Sequence, residues 1–307
     1  QGLVSTLYQL KSKLPYDFDL VKHANERTCA ISHLGLLTAN DVVVYDRGYL
    51  SYSMLYRHRQ RGVFTIFRLP ESSFTEIRDF MQGNETDKLV TIELRSKNHT
   101  RATKEELGIK KFAPLPLRLI KYRYKDSIFY LGTTLFDQTK YPAELFSEIY
   151  HARWGIEELY KISKVLINIE DFHSRTERGV RQEIFAHFVL ITLTRLLANQ
   201  VESNLNGFPL LNSSPKKPSD LSLPFNVPIK VNFKNCLAVV SRHLEELIYS
   251  ATGCLTAILD RMLISIQVAK QKFRGGRSYA RISLKPIGKW RQRTQPLLAL
   301  TPATKNA

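Results

Sequence analysis

The stretch Tyr150-His-Ala-Arg-Trp-Gly-Ile-Glu-Glu-Leu-Tyr-Lys-Ile-Ser-Lys164 decides the interpretation of this chain. Its many apolar residues predict one largely buried helix over about residues 142–169. At about 100° per residue, a phenol, a guanidinium, a carboxylate and two ammonium groups fall on one narrow stripe of that helix. Charges on a buried helix need partners, a metal or a charged ligand. The stripe is therefore a candidate binding site.

An ordinary set of intrahelical ion pairs is the alternative explanation of the same stripe. Glu157 lies four residues from both Arg153 and Lys161, which is the spacing at which helical side chains pair. Spacing alone leaves the two interpretations equally open. A second candidate site far upstream in the chain favours the ligand interpretation.

The charge of the chain points to a polyanionic partner. Its 307 residues include 45 Lys and Arg against 28 Asp and Glu, which gives a formal net charge of +17. Nucleic acid is the simplest such partner, although a basic ribosomal or membrane-surface protein would also fit. No apolar run approaches about 18 residues, so no membrane span is expected. Three cysteines without C-x-x-C spacing favour a reducing, cytoplasmic environment over a zinc site or a disulfide framework.

The upstream site is Asp46, which directly follows the short apolar run Val42–Tyr45. That run predicts a buried, central strand of an α/β sheet. Asp46 would then lie at the carboxyl end of the strand, where open α/β sheets place their ligands. An aspartate in this position is also a common turn residue or helix cap. Gly48, which allows a backbone or ligand to approach closely, favours the binding interpretation.

Shifts in residue composition and in predicted secondary structure along the chain predict five regions. Residues 1–70 form the first part of an α/β core, and residues 71–137 form a β-rich insertion crowded with basic side chains. Residues 138–200 complete the core with the Glu157 helix, and residues 201–271 form a helical region. The basic tail, 272–307, is either an arm on a phosphate backbone or a disordered terminus.

The predicted elements within these regions are as follows. Strands are predicted at residues 3–10, 16–22, 42–45, 63–69, 89–95, 117–124 and 127–134. Helices are predicted at residues 26–37, 52–60, 142–169, 179–200, 233–249 and 255–271. The segment 179–200 is strongly apolar, but we expect it to be too short and too interrupted by charge to span a membrane.

Two carboxylates that meet at the end of a sheet suggest a divalent metal site. Mg²⁺ binds one or two carboxylates together with substrate phosphates. Two such ions can clamp the attacking and leaving oxygens of a phosphoryl displacement. Asp46 and Glu157 are the candidate ligands. The sequence contains no GxSxG, P-loop, HExxH or dinucleotide-binding motif that would indicate a competing chemistry.

Two motifs together resemble a known family. The run VVVYDRGY at 42–49, followed by Tyr-x2-Arg-x3-Glu-x6-Lys from Tyr150 to Lys164, is similar to the insertion-sequence DDE transposases, specifically the insertion-sequence-four group. The tyrosine-arginine-glutamate-lysine signature of that group matches at every spacing, and the resemblance covers roughly residues 1–200. It implies a ribonuclease H-like mixed α/β sheet with a β-rich insertion and C-terminal helices.

The resemblance also implies an activity and a set of site residues. The chain would be the catalytic core of a transposase that uses Mg²⁺ or Mn²⁺ to cleave transposon-end DNA and transfer it. Asp46 is similar to the second metal-binding aspartate, and Glu157 to the catalytic glutamate. The residues assigned to DNA binding are Tyr150, Arg153, Trp154, Lys161 and Lys164. The implied partners are transposon-end and target DNA held by a dimer, in the cytoplasm and associated with the nucleoid.

One departure from the family concerns its first aspartate. That residue lies on a strand before the opening hairpin, whereas Asp17 and Asp19 fall on a later strand. We therefore expect a chain that is truncated at its amino end and inactive by itself. Two alternatives stay open: a catalytically inactive or domesticated DNA-binding remnant of the same fold, and another metal-dependent nuclease of that fold. The nuclease should lack the signature spacing, which is present.

Overall fold

The computed structural model describes seven segments of the chain: residues 2–22, 25–71, 74–94, 97–165, 171–207, 229–250 and 254–272. All of them belong to one unit that spans Gln1–Phe273. The predicted basic tail lies outside the described residues except for Lys272. Its role therefore stays a prediction.

The chain begins with an antiparallel hairpin of β1 (Leu3–Gln9) and β2 (Leu14–Val21), which forms a two-stranded sheet of its own. This confirms both predicted strands, although β2 begins earlier than expected and includes Pro15. One face of the hairpin packs on a long helix further along the chain. Phe18 stacks on Phe188 of that helix with 3.9 Å between ring centroids.

The main sheet has five strands in the order β3-β4-β7-β6-β5. They are β3 (Val42–Tyr45), β4 (Phe64–Arg68), β5 (Asp87–Ile92), β6 (Leu115–Tyr124) and β7 (Ser127–Thr133). β3 and β4 run parallel, and the other neighbours are antiparallel. This mixed sheet and its helices confirm the α/β class. The region predicted as a β-rich insertion supplies β5, β6 and β7 to this same sheet.

The prediction that Val42–Tyr45 is a central strand is wrong. Within the described residues β3 lies at one edge of the five-stranded sheet and pairs with β4 alone. Its three valines are only partly buried, while Tyr45 is buried. A short β-branched run indicates apolar surroundings, but it does not report how many strands pair with it.

Four helices flank these strands in the first half of the chain. They are α1 (Glu26–His33), α2 (Tyr52–Arg61), α3 (Thr75–Gln82) and α4 (Lys97–Leu107). α1 ends earlier than predicted, because residues Leu34–Leu36 tighten into a 3-10 turn. α2 agrees with its prediction, and the Ser51 side chain caps it by accepting a hydrogen bond from the Met54 backbone N–H. The sequence analysis missed α3 and α4.

The helix predicted over residues 142–169 is two helices, so that prediction is wrong. α5 (Ala143–Ala152) and α6 (Trp154–Val165) meet at Arg153, and residues 166–169 lie outside the described chain. The backbone N–H groups of Arg153 and Ile156 donate to carbonyls three residues earlier, which tightens the turn. Gly155 packs closely on the hairpin, since a Cβ there would lie 2.8 Å from the Tyr8 hydroxyl. This long-range contact accompanies the break.

The last part of the chain is helical. It contains α7 (Glu177–Asn206), β8 (Ile229–Val231), α8 (Phe233–Tyr249), α9 (Leu255–Val268) and β9 (Lys270–Lys272). The three predicted helices are confirmed. The last of them ends at Val268 rather than residue 271, because Lys270–Lys272 pairs with β8.

The length argument against a membrane span is wrong for α7. This helix has 30 residues and is long and apolar enough, by length and composition, to cross a bilayer. A core helix of a soluble protein meets the same test. In this structure α7 buries Ile184, Phe188 and Ile191 in one cluster with side chains of the opening hairpin.

A buried arginine joins the main sheet to the start of α5. The Arg118 guanidinium makes two hydrogen bonds to the Asp87 carboxylate, at 2.9 and 2.6 Å. It also donates to the carbonyl oxygens of Leu135 and Tyr141, at 3.3 and 2.8 Å. Its side chain is 1% exposed and lies over the Phe146 ring of α5. Arg118, one of the basic residues in the predicted insertion, is therefore structural.

Replacing Arg118 with methionine should destabilise the fold strongly. The change leaves a carboxylate and two carbonyls without their donor, and breaking a buried ion pair in this way costs about 3–5 kcal/mol. Urea denaturation followed by circular dichroism measures the loss. The control is Arg123→Met, an exposed residue on the same strand, which should shift stability by no more than about 0.5 kcal/mol. Equal midpoints for the two variants would contradict the structural role.

A buried histidine supports the strand that leads to Asp46. The His58 ring lies 2.9 Å from the Tyr45 hydroxyl through Nε2 and 2.7 Å from the Met54 carbonyl through Nδ1. Burial lowers the pKa of His58, outweighing the Met54 carbonyl, which favours the protonated ring. The unfolded chain therefore takes up this proton at a higher pH than the folded protein. The stability from His58 is present above its ordinary pKa and declines as the pH falls below it.

The contribution of His58 should be visible in the pH dependence of stability. We expect the stability difference between the native protein and His58→Gln to shrink as the pH falls from about 7.5 to about 5, across the ordinary histidine pKa of about 6.5. Thermal unfolding at several pH values measures this difference. Gln60→Ala, which changes an exposed residue of the same helix without a titratable side chain, is the control and should show a constant difference. A His58→Gln difference that grows with acidity would refute a neutral, buried ring.

Candidate functional site

The site begins at Asp46, immediately after β3. Asp46 starts a 3-10 turn over Arg47–Tyr49, and its Oδ1 accepts a hydrogen bond of 2.8 Å from the Arg47 backbone N–H. Asp46 therefore does cap a turn, as the alternative interpretation of this aspartate proposed. The Asp46 side chain nevertheless remains 45% exposed. Capping thus leaves the carboxylate accessible to a ligand.

The end of α5 approaches the same carboxylate from the other side. Tyr150 is buried, and its hydroxyl donates a 3.1 Å hydrogen bond to Asp46 Oδ1, across 104 residues of sequence. At the junction of α5 and α6, Arg153 Nη2 lies 3.8 Å from Asp46 Oδ2 and 3.0 Å from Glu157 Oε1. One nitrogen atom thus lies between the two predicted metal ligands. The structure brings together four of the predicted site residues.

The intrahelical pairing that the sequence left open is also present, since Arg153 and Glu157 are one turn apart in the chain. The pair does not exclude the ligand interpretation, because the same guanidinium also reaches Asp46 on another element. An ordinary surface pair would have no such third partner. Arg153 therefore makes the intrahelical ion pair with Glu157 and is also part of the candidate binding site around Asp46.

The other predicted DNA-binding residues lie on the surface of α6. Lys161 and Lys164 are exposed, and Trp154 is 60% exposed. Their role in DNA binding stays a prediction.

Arg68 is a site residue that the sequence analysis missed. β3 and β4 are parallel, with Tyr45 paired to Phe67, so Asp46 and Arg68 follow at the same edge of the sheet. The Arg68 guanidinium lies 4.8 Å from the centroid of the Phe129 ring, and its charge acts on both Asp46 and Tyr150. The only sequence signal is its position as the last residue of the strand next to β3.

The charges at the site stabilise one another. Burial by itself would raise the pKa of Asp46. Hydrogen bonds from the Arg47 backbone N–H and the Tyr150 hydroxyl lower this pKa, and so do the charges of Arg153 and Arg68. The lowering effects are larger in sum, so the pKa of Asp46 is below its usual value. Burial raises the pKa of the Tyr150 phenol, so this group keeps its proton and donates. Burial acts to lower the pKa of Arg153, whereas Tyr150, Asp46 and Glu157 raise it. Asp46 is therefore an anion and Arg153 a cation at neutral pH.

The two other candidate aspartates have different surroundings. Asp17 Oδ2 lies 2.6 Å from Nδ1 of His33 in α1, and Ser5 Oγ lies 3.0 Å from Nε2 of the same ring. The charge of Asp19 acts on Cys29, also in α1. Asp17 thus joins the hairpin to α1.

The donor set suits a hard divalent cation. Asp46 and Glu157 offer carboxylate oxygens to the same small space, and both side chains are more than 40% exposed. Mg²⁺ is usually held by one or two carboxylates that are completed by water and substrate phosphates. Among the described residues no three His, Cys, Asp or Glu side chains lie close enough to hold a metal by themselves. Asp46 and Glu157 therefore fit the share of ligands that a protein supplies to such an ion.

A comparison with known families agrees with this geometry. The family model described as the transposase DDE domain matches residues 3–193. The matched region includes the opening hairpin, the main sheet, α5 and α6, and more than half of α7. All seven predicted site residues lie inside it.

Two curated proteins are similar to parts of the chain. The "Probable transposase for insertion sequence element IS5377" of Geobacillus stearothermophilus is 24% identical over 179 residues, which is 56% of this chain and 43% of that protein. A protein of Sinorhizobium fredii strain NGR234, y4zB, assigned as a transposase, is 31% identical over 85 residues, which is 28% of this chain and 23% of that protein. The chain thus spans less than half the length of either relative.

Proposed function

Since this chain belongs to the transposase DDE domain family, we propose that it forms the catalytic core of a DNA transposase of the insertion-sequence-four group. The observation that carries the proposal is the convergence of Asp46 and Glu157 on one nitrogen of Arg153. The full match to the tyrosine-arginine-glutamate-lysine spacing supports the subgroup. We further propose a ribonuclease H-like core over residues 1–70 and 138–200, with residues 71–137 as an insertion that extends the main sheet by β5, β6 and β7.

Asp46 and Glu157 would hold the catalytic Mg²⁺ or Mn²⁺. When bound, such an ion stabilises charge on the phosphate oxygens and activates the attacking group for cleavage and strand transfer. The Tyr150 hydroxyl and the Arg47 backbone N–H both bind Oδ1 of Asp46. Oδ2 is thereby left on the side of Arg153 and Glu157. This fixed orientation would prepare the carboxylate for its ligand without further rearrangement.

The guanidinium groups of Arg153 and Arg68 would grip the phosphates of the DNA end. A planar guanidinium can donate two parallel hydrogen bonds to one phosphate, which combines charge with orientation. The Tyr150 hydroxyl has one proton and donates it to Asp46, so this residue would bind a phosphate only by releasing that carboxylate. Lys161, Lys164 and Trp154 are exposed on α6, so they would follow the DNA as it leaves the site.

DNA is the proposed partner, both as transposon ends and as target. The net charge of +17 supports this proposal, because it supplies the long-range attraction that phosphate backbones require. We propose that a dimer holds the paired ends in the cytoplasm, at the nucleoid. The alternative of an inactive or domesticated DNA-binding remnant differs in one outcome only, since it would bind DNA without cleaving it.

Removing either carboxylate should separate chemistry from binding. In the product of the complete reading frame that encodes this chain, Glu157→Gln and Asp46→Asn should each lower Mg²⁺-dependent cleavage of end DNA by ~10²-fold or more, the scale for losing one electrostatic group at a reacting centre. Binding of the same DNA should change little. Gel assays of cleavage and fluorescence anisotropy of binding measure the two effects.

A neighbouring carboxylate provides the matched control for those variants. Glu158→Gln changes an exposed glutamate of the same helix and should leave cleavage unchanged. Cleavage that survives in Glu157→Gln would remove the proposed catalytic role. A native protein that binds end DNA but never cleaves it would favour the remnant.

Salt should weaken DNA binding steeply, and Arg68 should contribute to the slope. If six or more phosphates are contacted, affinity should fall on the order of 10³-fold between about 50 and 200 mM salt. Arg68→Ala should reduce the slope of log affinity against log salt by about one, the share of a single phosphate contact. The exposed Arg78→Ala is the control and should leave the slope unchanged. A flat salt dependence in the native protein would argue against a nucleic-acid partner.

A further inference from the structure

We propose that Arg153 is an internal counter-ion that keeps divalent cations out of the Asp46–Glu157 pair until a DNA phosphate draws it away. The inference rests on the proposed function of this site and adds how its two ligands are coupled. In the structure, one Arg153 nitrogen is the cationic partner of both carboxylates. The same side chain would serve the phosphate once DNA arrives.

The distances place the guanidinium where a shared cation would lie. Nη2 of Arg153 is 3.0 Å from Glu157 Oε1 and 3.8 Å from Asp46 Oδ2. Mg²⁺ binds carboxylate oxygens at about 2.0–2.1 Å, so an ion held by both carboxylates would occupy the space between these oxygens. Nη2 fills that space now. A cation and the guanidinium therefore compete for the same pair of carboxylates, both through volume and through like charge.

The net charge of the site favours exclusion in the absence of DNA. Two carboxylates, Asp46 and Glu157, lie with two guanidinium groups, Arg153 and Arg68, whose charges both act on Asp46. The formal charges of these four groups cancel. Divalent cations bind more tightly as more ligand charge is left uncompensated. Moving Arg153 away restores the negative charge that such an ion needs.

Arg153 has unused donors with which to bind a phosphate. Its side chain is only 13% exposed, and its buried Nε has no hydrogen-bond partner among the described residues. The contact to Asp46, at 3.8 Å, is longer than a hydrogen bond. A phosphate could accept two charge-assisted hydrogen bonds from the same guanidinium. The exchange therefore replaces one good hydrogen bond with two, and it frees both carboxylates at once.

Thermodynamic linkage makes this coupling reciprocal. If DNA removes the competitor from the carboxylates, DNA raises the affinity for the cation, and the cation raises the affinity for DNA by the same factor. Such couplings are typically about 5–150-fold. The site would then load its cation only when the substrate is in place.

The first test measures Mn²⁺ binding without DNA. Electron paramagnetic resonance of free Mn²⁺ gives the affinity of the native chain and of Arg153→Gln, a neutral residue that keeps part of the side-chain volume. We expect Arg153→Gln to bind Mn²⁺ on the order of 10-fold more tightly than the native chain. Adding Asp46→Asn to this variant should cancel the gain, which would locate the ion at the site. Circular dichroism verifies that each variant is folded.

Two further variants separate the position of the charge from the charge itself. Arg153→Lys retains a cation at the junction and should keep the weak affinity of the native chain. Arg47→Ala removes an exposed arginine beside Asp46 in the sequence, without vacating the space between the carboxylates. It should strengthen Mn²⁺ binding much less than Arg153→Gln does. Equal gains from Arg47→Ala and Arg153→Gln would overturn the proposal in favour of general charge.

The second test measures the coupling with DNA. Anisotropy of a labelled duplex, with and without Mn²⁺, should show a Mn²⁺-dependent gain in DNA affinity of about 5-fold or more in the native chain. The gain should be several-fold smaller in Arg153→Gln, where only the direct contact between the ion and the phosphate remains, even though its DNA binding is weaker at every Mn²⁺ concentration. Persistence of the full gain in Arg153→Gln, or equal Mn²⁺ affinity without DNA, would refute the counter-ion. Either result leaves the cleavage tests of Glu157 and Asp46 unaffected, so failure of the two proposals can be distinguished.

Discussion

The buried guanidinium of Arg118 fixes the geometry on which the candidate site depends. It links β6 to β5 through Asp87 and links both strands to the start of α5 through the Tyr141 carbonyl. α5 in turn carries Tyr150 to the edge of the sheet, where the phenol meets Asp46. An arginine with its hydrogen bonds satisfied away from water holds these parts in one arrangement, because each alternative leaves a charge or a carbonyl unpaired. Arg118 thus helps to position α5, and with it Tyr150, against the sheet that leads to Asp46.

The break between α5 and α6 and the double contact of Arg153 occur at the same residue. The backbone tightens there while Gly155 packs against Tyr8 of the opening hairpin. A residue at a helix junction is positioned by two elements rather than one, so its side chain can contact a neighbouring strand as well as its own helix. The i, i+4 contact to Glu157 comes from helical geometry, whereas the contact to Asp46 comes from the packing of α5 on the sheet. The hairpin therefore packs directly beside the junction that positions Arg153.

Much of the site could be predicted from sequence, because the relevant patterns are local. Helical spacing joined Tyr150, Arg153 and Glu157, and the end of an apolar run identified Asp46. Arg68 was not predicted, because its position depends on the parallel register of β3 with β4, which no single stretch of sequence specifies. The edge position of β3 and the helix break at Arg153 were not predicted for the same reason, since both depend on residues that are distant in sequence. α3 was missed because its eight residues bury only Ile77 and Phe80, too few to establish a helical period.

The charge of the whole chain and the charge of the site differ in physical character. The excess of +17 acts through solvent, and physiological salt screens it beyond about 8 Å. The charges of the four groups at the site, Asp46 among them, cancel formally, and Arg153 is largely shielded from water. Attraction of a polyanion to the surface is therefore a matter of many weak, screened contacts, whereas admission to the site depends on the exchange of one ion pair. A phosphate that reaches Arg153 changes the local balance in a way that no increase in the surrounding positive charge can reproduce, because only direct contact removes the guanidinium from between the two carboxylates.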